Sequence, residues 1–111
     1  SNEAPWYVVD KDIKRNVLIA AQGSNHPRLF AQGLICEQTH WITTAPDQLP
    51  ARCQAKIRYR QKNQDCSINH LNQNQYQVIF NIPQRAVTPG QSIVFYQDDI
   101  CLGGGIIKQA L

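Results

Sequence analysis

An all-β fold, a small antiparallel β-barrel of six or seven strands, is predicted for this sequence by three observations. Nearly every segment reads in period two or as a short apolar run bounded by turn residues. Helix signals are few. The stretch at 88–107, TPGQSIVFYQDDICLGGGII, carries the parts with which a barrel closes. In it Pro89 fixes φ and Gly90 tolerates φ > 0, so a sharp turn precedes Gln91. Ile93, Val94, Phe95 and Tyr96 follow as a strand with apolar side chains on both faces, which demands cover on both sides. Gln97, Asp98 and Asp99 form a second turn. Gly103, Gly104 and Gly105 then allow a tight bend or a close backbone approach before a last short strand that seals the sheet.

The remaining elements follow in order. Residues 6–11 (WYVVDK) and 17–22 (VLIAAQ) flank a polar turn at 12–16, a hairpin pattern, and a second turn lies at 23–27. Residues 34–43 (LICEQTHWIT) combine strand-forming Ile, Thr and Trp with a length that also permits one or two helical turns; strand is favoured. Residues 52–62, 66–71, 76–82, 93–96 and 100–102 complete about seven short strands, spaced as in a small barrel or sandwich. Between residues 61 and 77, nine of 17 positions are Asn or Gln, a bias that builds no core and belongs at exposed hairpin ends.

Size and composition narrow the function. With 111 residues the chain is one domain, taken as 3–111, with Ser1 and Asn2 read as an expression scar. There is no leader pattern and no run of about 18 apolar residues, so no membrane helix and no membrane partner are expected. Cys36, Cys53, Cys66 and Cys101 lie 17, 13 and 35 positions apart with no CxxC pair, which fits reduced, mostly buried thiols better than a zinc or redox site. The glycine triplet lacks the Lys and Ser/Thr of a phosphate loop. His26, His40 and His70 form no metal-binding pattern and are read as turn or surface residues. No nucleophile elbow is present, and the adjacent Asp98 and Asp99 are turn residues rather than paired catalytic carboxylates, so no catalytic or metal residue is expected.

The sharpest chemical signal is RCQAKIRYRQK at 52–62. Arg52, Gln54, Lys56, Arg58, Arg60 and Lys62 share one parity, and Cys53, Ala55, Ile57 and Tyr59 share the other. As a continuous strand this would line one face with five cations and no acid. Neighbours on one face are about 6.6 Å apart, so Lys56, Arg58 and Arg60 repel one another unless an anion lies across them. A phosphodiester backbone is such an anion, and a solvated outer face is the bland alternative; the one-signed row favours the polyanion. Lysine and arginine position a nucleic acid, whereas exposed aromatics read unpaired bases, and Trp6, Trp41 and Tyr59 are the candidates for that role.

Taken together, PWYVVDKD at 5–12, AQGSNHPRL at 21–29, RYRQ at 58–61 and AVTPGQSIVFYQDDICLGGGII at 86–107 resemble the C-terminal domain of the bacterial tRNA-specific 2-thiouridylases. PGQ before a strand also occurs in the barrels of translation factors and aminomethyltransferases, but the ordered set is specific. The resemblance implies a fragment of a larger cytoplasmic enzyme, a tRNA-uridine 2-sulfurtransferase that uses ATP, with Mg, to activate the wobble uridine and installs sulfur through a cysteine pair. That family's SGGVDS-like ATP loop and catalytic cysteine pair are absent from this sequence, so the four cysteines inherit no catalytic role and this fragment needs no cofactor of its own. The implied partners are tRNA and the catalytic PP-loop domain of the same parent chain, and a sulfur-carrier protein is a further one. For this domain the resemblance implies tRNA contact by Arg58, Tyr59 and Gln91, to which the parity argument adds Lys56 and Arg60. Tyr59 has inward parity, and contributes only if the strand ends or bulges there, or if its backbone or hydroxyl makes the contact. The competing assignments are a protein-binding module that docks a sulfur carrier or the parent's other domains, and a small-ligand barrel with an apolar pocket.

Overall fold

The computed structural model describes residues 6–12 and 17–22 as paired backbone, and residues 29–42 and 49–111 with their side chains. The expected turns at 12–16 and 23–27, His26, the two N-terminal residues and the side chain of Trp6 lie outside the described residues. Strands β1 (Trp6–Asp12) and β2 (Val17–Gln22) pair antiparallel as a two-stranded sheet, the hairpin partners expected from their pattern. The other six strands form a closed antiparallel barrel in the order β3-β6-β5-β4-β7-β8. These are β3 (Phe30–Trp41), β4 (Arg52–Lys56), β5 (Gln64–Asn72), β6 (Gln75–Arg85), β7 (Ser92–Gln97) and β8 (Ile100–Ala110). No helix among the described residues is long and apolar enough to cross a membrane.

Alternation explains why these segments close on one another. Leu34 and Cys36, Cys53 and Ala55, Cys66 and Ile68, Tyr76, Val78 and Phe80, and Ile93 and Phe95 point into the barrel and are buried, and Leu102 joins Ile107 in the core because the β8 register shifts at Leu102. Burying each of the larger of these side chains is worth about 1.5–3 kcal/mol. Trp41 belongs to this packing: its ring lies 5.1 Å from that of Phe95 and 5.2 Å, edge on, from that of Tyr76. It is a core aromatic and not a base-stacking surface.

One expectation is met and two are corrected by this geometry. Residues 34–41 lie in a strand, as favoured, one that starts earlier, at Phe30, and is bent by bulges where its register against β6 and β8 shifts; Ile42 follows the strand and Thr43 lies outside the described residues. The glycine triplet makes no bend. Strand β8 runs straight through it, because Gly103 and Gly104 pair with both Trp41 and His40 of β3 and Phe95 and Val94 of β7. A Cβ on Gly103 would sit 2.1 Å from the carbonyl oxygen of His40, and one on Gly104 would sit 2.7 Å from that of Ile93, so close backbone approach is the reason for glycine. The Asn/Gln-rich stretch is not all hairpin tip either. Asn72, Gln73 and Asn74 are exposed at the β5–β6 turn, but Gln61 and Gln64 are half-buried and hydrogen-bonded.

Cys36, Cys53 and Cys66 are buried, Cys101 is half-buried, and none of the four is in a disulfide. Burial raises the Cys36 thiol above its usual range. Cys53 and Cys66 face each other across β4 and β5 with their Sγ atoms 3.8 Å apart; hydrogen bonding between them lowers Cys53 and raises Cys66.

Candidate nucleic-acid interface

The basic segment leaves the sheet earlier than its alternation predicts. β4 ends at Lys56, and the chain turns: the Gln61 N–H donates to the Arg58 carbonyl at 3.2 Å, while the Ile57 N–H donates to Gln61 Oε1 at 3.0 Å. Ile57 keeps the inward parity and is buried, and Arg58 is half-buried, but Tyr59 and Arg60 fall at the corners of the turn. The continuous five-cation face is therefore not formed. Arg52 is committed elsewhere, with its Nη2 donating to Asn81 Oδ1 at 2.7 Å. Tyr59, inward by parity, is instead 95% exposed, because the strand ends before it.

A buried amide network holds this turn. Gln84 of β6 is only 4% exposed and uses its whole amide: Nε2 donates to Gln64 Oε1 at 3.1 Å and to the Ile82 carbonyl at 2.8 Å, while Oε1 accepts from Gln61 Nε2 at 2.6 Å. Gln61 thus ties Ile57 on one side to β6 on the other. The Arg58 guanidinium makes a second tie, donating to the Arg85 carbonyl. Burial, and then the positive charge of Arg85, hold Arg58 below the usual arginine range. An anion placed at Arg58 would favour its charged form and so offset both effects.

The second half of the site is the turn before β7. Pro89 and Gly90 occupy its centre, Gly90 has φ 92°, and the Gln91 N–H closes it on the Thr88 carbonyl at 3.2 Å, the conformation expected for this pair. Two bonds fasten it to β8: the Gly90 N–H donates to the Ile107 carbonyl and the Ile107 N–H to the Gln91 carbonyl, both at 2.8 Å. Gln91 Oε1 is screened from solvent and has no hydrogen-bond partner.

Because β4 and β7 are neighbours in the barrel, these two turns meet. Lys56, Arg58, Tyr59 and Gln91 line one groove of about 540 Å³, together with Ile57 and with Ser92, Val94 and Tyr96 from the outer face of β7. Lys56 Nζ lies 5.4 Å from the centroid of the Tyr96 ring. Arg60 is exposed on the turn but does not line the groove. Period-two reading of 92–97 could have found Ser92, Val94 and Tyr96, since they alternate with Ile93 and Phe95. Nothing local marks Gln84, 20 or more residues from the two glutamines it joins.

Comparison with known proteins agrees with this architecture. A model of the aminomethyltransferase β-barrel domain matches residues 31–107, and the chain belongs to that family. It is 56% identical over 111 residues to a tRNA-specific 2-thiouridylase MnmA of Serratia proteamaculans (strain 568), an alignment covering 100% of this chain and 30% of that protein. Similar matches are a tRNA-specific 2-thiouridylase MnmA of Vibrio cholerae serotype O1 (strain ATCC 39541 / Classical Ogawa 395 / O395), 55% identical over 100% of this chain and 30% of the relative, and one of Legionella pneumophila (strain Philadelphia 1), 54% identical over 100% and 31%. The chain thus spans about 30% of the length of these relatives.

Proposed function

We propose that this chain is the tRNA-contacting barrel of a tRNA-specific 2-thiouridylase, a domain that holds the RNA while other parts of the parent protein carry out the chemistry. One observation carries the proposal: Lys56, Arg58, Tyr59 and Gln91, drawn from two separate sequence motifs, line the same groove. Its chemistry suits RNA. Arg58 and Lys56 supply cations for phosphates, with Arg58 fixed in place by the Arg85 carbonyl and Lys56 set beside the Tyr96 ring. Arg60, on the exposed turn, adds charge outside the groove.

ATP-dependent activation of the wobble uridine and transfer of sulfur are assigned to the remainder of a cytoplasmic parent enzyme. Within this chain Cys36, Cys53 and Cys66 are buried, so a thiolate there has no open path to a bulky substrate. A second role, docking against the parent's own PP-loop domain or a sulfur carrier, is favoured by Phe30 and Ile82, large apolar residues exposed on the neighbouring strands β3 and β6.

The test uses full-length protein and unmodified tRNA across a salt series. Arg58→Ala weakens binding and lowers the slope of log K against log salt by about one. Gln91→Ala weakens binding with little change in slope. Affinities equal to wild type for both variants, at low and moderate salt, overturn the proposal.

A further inference from the structure

We infer that the groove takes a single unpaired nucleotide of the RNA, its base stacked on Tyr59 and one of its donor groups bonded to Gln91, rather than a stretch of duplex. This rests on the tRNA-contact reading and sharpens it.

Three features point the same way. Tyr59 is 95% exposed on a turn whose two flanks are tied down, by the Arg58 guanidinium to Arg85 and by Gln61 to Gln84. An aromatic ring held in solvent in this way is a stacking platform, and a base inside a helix has no free face to offer it. The groove is concave and partly apolar, with Ile57, Val94 and Tyr96 in its lining, and its volume of about 540 Å³ falls in the range of sites that enclose small molecules. A duplex backbone is convex and anionic and leaves such a lining unused.

The third feature is the unpartnered Gln91 Oε1. A screened acceptor without a donor is unfavourable where it stands, so a turn of the Gln91 side chain into the groove it lines, toward a ligand N–H or O–H, is favoured on binding. Phosphate oxygens only accept. A base N–H or a ribose 2′-hydroxyl donates, and in an unpaired nucleotide both are accessible. The cations at the groove, Lys56 and Arg58, then take the phosphates on either side of that nucleotide.

The experiment is photo-crosslinking and binding with full-length protein and unmodified tRNA. Tyr59→p-azidophenylalanine crosslinks to one nucleotide, or a few adjacent ones, that are unpaired in the tRNA. Tyr59→Phe, which keeps the ring, binds as wild type does, and Tyr59→Leu loses about five-fold or more in affinity. Gln91→Met, which keeps length and removes the acceptor, also weakens binding. Repeating Gln91→Met with tRNA carrying a 2′-deoxy sugar at the crosslinked nucleotide separates the two donors: the defect disappears if the hydroxyl is the donor and persists if the base is. Crosslinks confined to paired stems, or Tyr59→Leu or Gln91→Met binding as wild type while Arg58→Ala is impaired, overturn the unpaired nucleotide and leave tRNA contact standing. No crosslink together with an unimpaired Arg58→Ala overturns both.

Discussion

Strand β7 has two sides with opposite tolerances. On one edge it pairs with the glycine run of β8, which is pressed between the backbones of β7 and β3 with no space for a methyl group. Its outer face, with Ser92, Val94 and Tyr96, opens on a groove bordered by two turns and four polar or charged side chains. The seam is specified by what must be missing, and the groove by what is present. Substitution at the seam should therefore unfold the barrel, while substitution in the groove should leave the fold and alter what it binds.

The largest expected effect is at the seam. Gly103→Ala, whose added carbon would meet the His40 carbonyl oxygen at 2.1 Å, should cost about 3 kcal/mol or more, read as a fall in denaturation midpoint. Next comes the network that joins the fold to the groove. Gln84→Leu strands Gln61 Nε2, Gln64 Oε1 and the Ile82 carbonyl, at a cost of about 2–3 kcal/mol in chemical denaturation. Because Gln61 then loses its anchor, tRNA binding should weaken in that variant even where it is fully folded. Arg58→Ala is the reverse case: denaturation midpoint little changed, tRNA affinity and salt slope reduced. The smallest effect is beside the second turn, where Ala86 has φ 54°; Ala86→Gly relieves that strain and should raise stability by about 0.5–1 kcal/mol without touching RNA affinity.

How much of this was legible in the sequence depended on the range of the interaction. The barrel was, because alternation in 76–80, the apolar run at 93–96 and the Pro-Gly turn are local signals that the closed sheet uses, although only one face of 93–96 is covered: Val94 and Tyr96 line the groove instead of a second core. Where the polar turn at 58–61 interrupts the alternation, parity extended too far and predicted a cationic face that does not exist, since the turn is imposed by Gln61 and by Gln84 from another strand. The same interruption explains Tyr59, whose parity pointed inward and whose ring stands in solvent. That the RYRQ and TPGQ segments would line one groove follows from β4 pairing with β7, a long-range register no single segment encodes. The motifs named the residues; only the topology brought them together.

Hydrogen–deuterium exchange of the full-length protein, with and without tRNA, compares the two regions in one measurement. Binding at the groove predicts slower exchange at Ile57–Gln61 and Gly90–Ser92 when tRNA is added, with the amides of Gly103–Gly105, already held between β3 and β7, unchanged. Protection that appears elsewhere on the barrel, or no protection at either turn, would contradict the assignment of this groove to RNA.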